Sequence, residues 1–260
     1  MESYDPGLLL IFGRPKCGKS SWISGLDDNL VIDLEDGYRS LSVMKIQARS
    51  FNDLNEIKKL IIKKGVEEGC TRENGKKPYR FITIDNASRL EEYCLFEAAR
   101  MYRENSAMGK NWGMLKDKDG KNTTAPDPKA DVRTLPQGSG YYWLRQAVMN
   151  AVKMFKPLCQ TLVLVAHVKE KQITKDSTEM TEMSLDLAGK VSDIICGEAD
   201  AIGYMYRRGN KTIMSFKGGD NIINEARPIH LRNKEFVVIE SDESGNIKIN
   251  TKDIFPDNRK

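Results

Sequence analysis

Gly13-Arg14-Pro15-Lys16-Cys17-Gly18-Lys19-Ser20 fits the pattern G-x-x-x-x-G-K-[ST], and its reading decides the fold. The two glycines let the backbone wrap a phosphate with its N–H groups turned inward, and a helix starting at the end of the loop adds its positive N-terminus. Lys19 is then within reach of the outer phosphates, the Ser20 hydroxyl can ligate Mg²⁺, and Ser21 continues the cradle. With glycine at about 7% of residues in proteins generally, a chance match in a chain of this size is on the order of 1 in 100. The flanks agree with the motif. Leu8-Leu-Leu-Ile-Phe12 is a continuous apolar run that reads as a buried strand, and a helical stretch follows the loop.

A phosphate-bound metal needs a carboxylate from a neighbouring strand. Phe81-Ile-Thr-Ile-Asp85 offers one at a strand's C-terminal edge, where open α/β sheets hold their ligands. The plainer reading of Asp85 is a turn or helix-capping residue. Another strand, Leu30 to Asp33, runs into Leu34-Glu35-Asp36-Gly37. Strand alternation puts Asp33 and Glu35 on one face. A carboxylate there can orient a water in line with a γ-phosphate; alternatively the acidic cluster is a solvated turn.

Working outward, apolar residues at helical spacing between Asn52 and Gly65 predict a helix. Ser88 with Glu91 three residues on reads as a capping box opening a second helix. A third spans about Tyr141 to Phe155, and Thr161 to Ala166 is the most β-like run of the chain. Ala201 to Tyr206 and Thr212 to Phe216 read as a hairpin with a Gly-Asn turn. The expectation is one α/β domain over 1–260: a mostly parallel central sheet covered by helices on both faces, with an antiparallel hairpin toward the C-terminus. Residues 105–140, rich in Gly, Lys, Asp, Asn and Pro, read as a flexible insert. A second polar stretch covers Lys169 to Glu182.

Composition excludes several classes. Of 260 residues, 41 are Lys or Arg and 37 Asp or Glu, a net charge of +4 with 40% apolar content. That is too apolar and too nearly neutral for a disordered chain. No run approaches the ~20 apolar residues of a membrane helix, and the acidic, polar amino terminus does not read as a secretory signal. The five cysteines are scattered and there are two histidines. Neither a disulfide framework nor a zinc site is indicated, and the cysteines are expected reduced, inside the cell. Basic residues gather between Glu56 and Arg80 and again between Arg207 and Lys234. Trp112, Tyr141, Tyr142 and Trp143 are candidate base-stacking residues, although Tyr142 and Trp143 also suit a helix core.

The order of phosphate loop, strand ending in Asp-x-Glu, strand ending in Asp, and apolar strand with a polar terminal residue resembles the RecA-like P-loop ATPases. Val165-Ala-His167-Val-Lys-Glu-Lys171, Leu185-Asp-Leu-Ala-Gly-Lys190 and Ala199-Asp-Ala-Ile-Gly-Tyr-Met-Tyr206 are similar to runs in phage-encoded members, including the single-strand-annealing type, and the likeness covers roughly residues 7 to 235. The resemblance implies ATP and Mg²⁺ as cofactors, with Glu35 as catalytic base. It implies His167 as a γ-phosphate sensor, where RecA has a glutamine, passing its signal to a DNA-binding loop at about 168–185. It further implies a homo-oligomer in which a neighbouring subunit supplies a basic residue, with Lys217 matching that position and Lys169 and Lys171 competing. Single-stranded DNA, and with it a single-stranded-DNA-binding protein, are the partners it implies, in the host cytoplasm and away from membranes. The rival readings are a nucleotide-gated scaffold with little hydrolysis, a P-loop small-molecule kinase and a helicase motor.

Overall fold

The apolar run ahead of the loop becomes the middle of a large sheet. The computed structural model describes residues 4–175, 178–219 and 221–256. In chain order the elements are β1 (Leu8–Gly13), α1 (Lys19–Ile23), β2 (Asn29–Asp33), β3 (Lys45–Gln47), α2 (Phe51–Glu67), β4 (Tyr79–Asp85) and α3 (Ala87–Asn105). There follow β5 (Met114–Lys116), β6 (Asn122–Pro126), α4 (Gly140–Phe155), β7 (Cys159–Lys175), β8 (Thr178–Leu185) and α5 (Val191–Glu198). The last third holds β9 (Ala201–Arg208), β10 (Lys211–Ser215), β11 (Glu225–Ala226), β12 (Glu235–Ser241) and β13 (Ile247–Ile249).

The main sheet has the order β13-β12-β10-β9-β1-β7-β4-β2-β3. The strands from β9 to β3 are parallel, and β10, β12 and β13 extend the sheet antiparallel, so the expected hairpin forms the start of a wider antiparallel wing. Register places the functional ends side by side: Gly13 lies level with His167 and Met205, and Asp33 with Asp85.

Alternation divides the core cleanly. Leu8, Leu10, Phe12, Ile82, Ile84, Leu162 and Leu164 pack under α2, α3, α4 and α5. Leu9, Ile11, Val31, Phe81, Val163 and Val165 face the other way. Coverage there differs from the expected helical layer. It consists of short α1 and of irregular segments carrying Tyr38, Leu231, Ile254 and Phe255. A helix of five residues has no stability of its own. α1 is held by Trp22, fully buried, whose ring lies 6.2 Å from that of Phe255 and whose Nε1 donates to the Asn250 carbonyl at 3.0 Å. Burying a side chain of that size contributes about 1.5–3 kcal/mol, which is what keeps the loop's C-terminal end fixed.

Three local expectations change. Ser88 and Glu91 do not form a capping box: Asn86 caps α3, its Oδ1 accepting from Arg89 N at 3.0 Å. Ser88 Oγ instead donates to the Asp186 carbonyl and the Glu91 carboxylate accepts from Ala188 N, pinning the segment after β8 onto α3. The stretch 105–140 is not featureless. It carries the β5–β6 hairpin and puts Val132 and Leu135 into the main core, because isolated apolar residues in a polar stretch still seek burial. Trp112 meets Tyr102 edge-on at 5.4 Å, and Trp143 packs on the same tyrosine, so neither ring stands free, whereas Tyr142 is exposed. The stretch 168–185 is a two-stranded ribbon, Val168 pairing with Leu185 through to Lys175 with Thr178, rather than a loop. Its tip at 176–177 and the Lys171 side chain lie outside the described residues. Among the described residues no helix is long and apolar enough to cross a membrane.

Candidate functional site

The loop takes its shape from two glycines that nothing else can replace. A Cβ on Gly13 would sit 2.3 Å from the Met205 carbonyl oxygen of the neighbouring strand. Gly18 has φ 110°, a region L-residues avoid. On the outer side Thr212 Oγ1 donates to the Cys17 carbonyl at 3.2 Å, tying the loop to the antiparallel wing. Cys17 is buried, and burial pushes its thiol up. Lys19 is 7% exposed, its ammonium donating to the Gly13 and Arg14 carbonyls at 2.9 and 3.1 Å.

Asp85, at the end of β4, meets the loop through Ser20. Ser20 Oγ donates to Asp85 Oδ2 at 3.4 Å, and the phenol of Tyr38 donates to the same oxygen at 2.7 Å. Burial pushes the Asp85 carboxyl up, opposed by the Tyr38 hydrogen bond and by the Lys19 charge. Burial and the Asp85 carboxylate in turn drive the Tyr38 phenol far above its usual range. Tyr38, 1% exposed, is brought there by a turn that Asp33 organises. Both Asp33 oxygens are occupied by backbone N–H groups, those of Glu35 and Gly37 at 3.1 Å and that of Tyr38 at 3.3 Å. This separates the two acidic residues that strand alternation alone leaves equivalent: Asp33 builds the turn, while exposed Glu35 projects toward His167, Oε2 to Nε2 3.7 Å. His167 Nε2 also lies 2.9 Å from Asn86 Nδ2.

These groups surround one cavity of about 540 Å³. Its walls include Pro15, Lys16, Gly18, Lys19, Ser20, Ser21, Glu35, Asp85 and His167 of the sequence-based set. Gly13, Arg14 and Cys17 shape the loop from outside the lining, and Arg14 reaches away to Glu170 of the ribbon at 2.6 Å. Lys217 is not in the wall; exposed, it faces Glu235 at 3.8 Å. Lys169 pairs with Asp186 at 3.7 Å. Sequence reasoning missed Tyr38 and Asn86, and took Arg207 only as one charge of the basic segment from Arg207 to Lys234, although it lines the cavity. The one available signal was Asn86, a capping residue type placed directly after Asp85.

Ser20 and Asp85 present a hydroxyl and a carboxylate oxygen to one point, hard donors that suit Mg²⁺. Among the described residues no cluster of three or more His, Cys, Asp or Glu could hold a metal. The donor set thus fits an ion completed by phosphate oxygens and water, not an all-protein cage.

A glycine-hinged loop on a central parallel strand, facing a carboxylate two strands away, defines a P-loop nucleotide-binding α/β protein. Residues 7–227 match the AAA domain family, and the chain belongs to it. Among solved structures it is similar to the crystal structure of the RadB recombinase at 9% identity and a TM-score of 0.44, over 95% of this chain and 92% of that one. No curated protein matches the chain.

Proposed function

We propose that this protein is a Mg²⁺-dependent ATPase of RecA-like type, acting as a homo-oligomer on single-stranded DNA in phage recombination, annealing or replication. The observation that carries the ATPase reading is the meeting of Lys19, Ser20, Asp85, Glu35 and His167 around one cavity. The Lys19 ammonium, now held by loop carbonyls, would exchange them for phosphate oxygens, a stronger charge-assisted contact. Ser20 and Asp85 would hold Mg²⁺, which supplies positive charge against the phosphoryl oxygens. Glu35 would take the proton of the attacking water, its exposed carboxylate being open to the cavity. His167 would relay occupancy to the ribbon, because it continues the strand β7 from which the ribbon projects.

Lys217, outside its own chain's cavity, would act on a neighbour's nucleotide. The DNA and phage parts of the proposal rest on the family resemblance. Lysines of the basic segment on α2 are largely answered within the helix, with Lys59–Glu56 at 2.7 Å, Lys63–Glu67 at 3.9 Å and Lys64–Glu68 at 2.6 Å, so that face adds little electrostatic support. The test is ATP turnover measured without nucleic acid and with single-stranded DNA, duplex DNA or RNA. Stimulation by single-stranded DNA alone supports the reading. Turnover indifferent to all three removes the DNA role, and no turnover at all leaves a nucleotide-gated scaffold.

A further inference from the structure

The phosphate cavity has two sides relative to β1, and they are chemically unlike. Toward β7, β4 and β2 lie His167, Asp85 and Glu35, the groups assigned above to the reacting phosphate. Toward β9 lies Arg207. A nucleoside triphosphate is linear, so if its outer phosphate faces Glu35 the nucleoside end runs toward β9 and β10. Strand β10 of that hairpin is seated on the loop through Thr212. Thr212, opposite Arg207 in the register, donates to the Cys17 carbonyl, and a Cβ on Gly18 would lie 3.1 Å from Thr212 Oγ1. A smaller cavity of about 70 Å³ opens here, sharing Gly18, Ser21 and Arg207 with the first and bounded by Asn210, Thr212 and Ser241.

The hairpin's other cations are engaged elsewhere. Lys211 pairs with Glu240 at 3.2 Å, Lys217 faces Glu235 at 3.8 Å, and the Arg208 guanidinium lies over the Tyr206 ring at 5.5 Å. Among the described residues no carboxylate pairs with Arg207. A guanidinium without a carboxylate partner, beside a loop built for phosphate, is the planar fork that grips phosphate oxygens in pairs. We propose that Arg207 binds the nucleoside-proximal part of the polyphosphate of an ATP held by the same chain, making it a nucleotide-binding residue in cis.

The inference rests on the nucleotide-binding reading, and the experiment separates the two. Calorimetric binding of ADP and of ATP is measured for the wild-type chain, Arg207→Ala and Arg207→Lys, with thermal melts as a folding control. The expected result is a loss of about tenfold or more for Arg207→Ala on both nucleotides alike, with Arg207→Lys losing less. Mixing Arg207→Ala with Lys19→Ala subunits should restore nothing. A loss confined to ATP moves Arg207 to the outer phosphate, and unchanged affinity removes it from the site; either overturns the inference. Restoration on mixing makes it a trans residue and does the same. A wild-type chain that binds neither nucleotide overturns the parent reading along with it.

Discussion

Asn86 Nδ2 donates a hydrogen bond to His167 Nε2 across 2.9 Å, and the direction of that bond is fixed by the other end of the same amide. Asn86 Oδ1 is committed to the N-terminus of α3, accepting from Arg89 N at 3.0 Å, so the amide cannot turn its oxygen toward the ring. The neutral imidazole must therefore carry its proton on Nδ1, which is buried without a hydrogen-bond partner among the described residues. In this state His167 offers a phosphate no donor at Nε2. Sensing an anion would require Asn86 to release it.

That assignment is open to ¹⁵N NMR, since only His167 and His230 contribute imidazole signals. In the nucleotide-free protein the neutral His167 ring is expected as the Nδ1–H tautomer. Asn86→Ala should shift it toward Nε2–H while costing about 1 kcal/mol through the lost cap. A wild-type ring already protonated at Nε2 would refute the arrangement.

Burial of Asp85 disfavours the charged form of its carboxyl, the form that the proposed metal binding needs. Its carboxyl is pushed up by burial, so its folded-state value lies above the ordinary one. A group of this kind contributes stability below its unfolded pKa, and loses it as pH rises through the folded value. Asp85→Asn is therefore expected to melt higher than the wild type at neutral pH, with the gap closing as pH falls and the wild-type carboxyl becomes neutral. The same variant should lose the Mg²⁺ dependence of ATP binding. A gap that widens on acidification would contradict the assigned burial.

Removing the phenol of Tyr38 tests the other half of that contact. Tyr38→Phe leaves the Asp85 oxygen without its 2.7 Å donor, and a hydrogen bond to a charged partner is worth about 1.5–3 kcal/mol. A fall in unfolding free energy of that order is expected in denaturant titrations at neutral pH, and no change would show that the bond does not persist in solution.

Gly13→Ala should be costly for a backbone reason. The added methyl would meet the Met205 carbonyl at 2.3 Å, and a strand in the middle of a sheet cannot yield locally. A loss of about 1–3 kcal/mol is expected, with nucleotide binding falling further than stability because the loop itself must shift.

Much of this was legible in one sequence because it is local. The loop, the strand before it and the Asp-terminated strand are each contiguous, and their apolar runs gave the parallel core. What was missed is long-range. Tyr38 and Asp85 are 47 residues apart and Asn86 and His167 81, and no periodicity announces such pairs. The ribbon at 168–185 escaped because its few apolar residues, Val168, Ile173, Met180, Met183 and Leu185, keep no regular alternation along either strand, so no apolar face marked it, while its pairing runs from Val168 with Leu185 to Lys175 with Thr178. Asp33 and Glu35 looked equivalent by alternation, yet the turn after β2 consumes one carboxylate and leaves the other facing the cavity.

The most direct test of the central claim is single-turnover ATP hydrolysis by Glu35→Gln beside Mg²⁺-ATP binding by the same variant. Binding within about twofold of wild type and hydrolysis slowed about 10²-fold or more is the predicted pair of results. Hydrolysis at the wild-type rate would contradict the account, because the carboxylate 3.7 Å from His167 would then have no part in the chemistry.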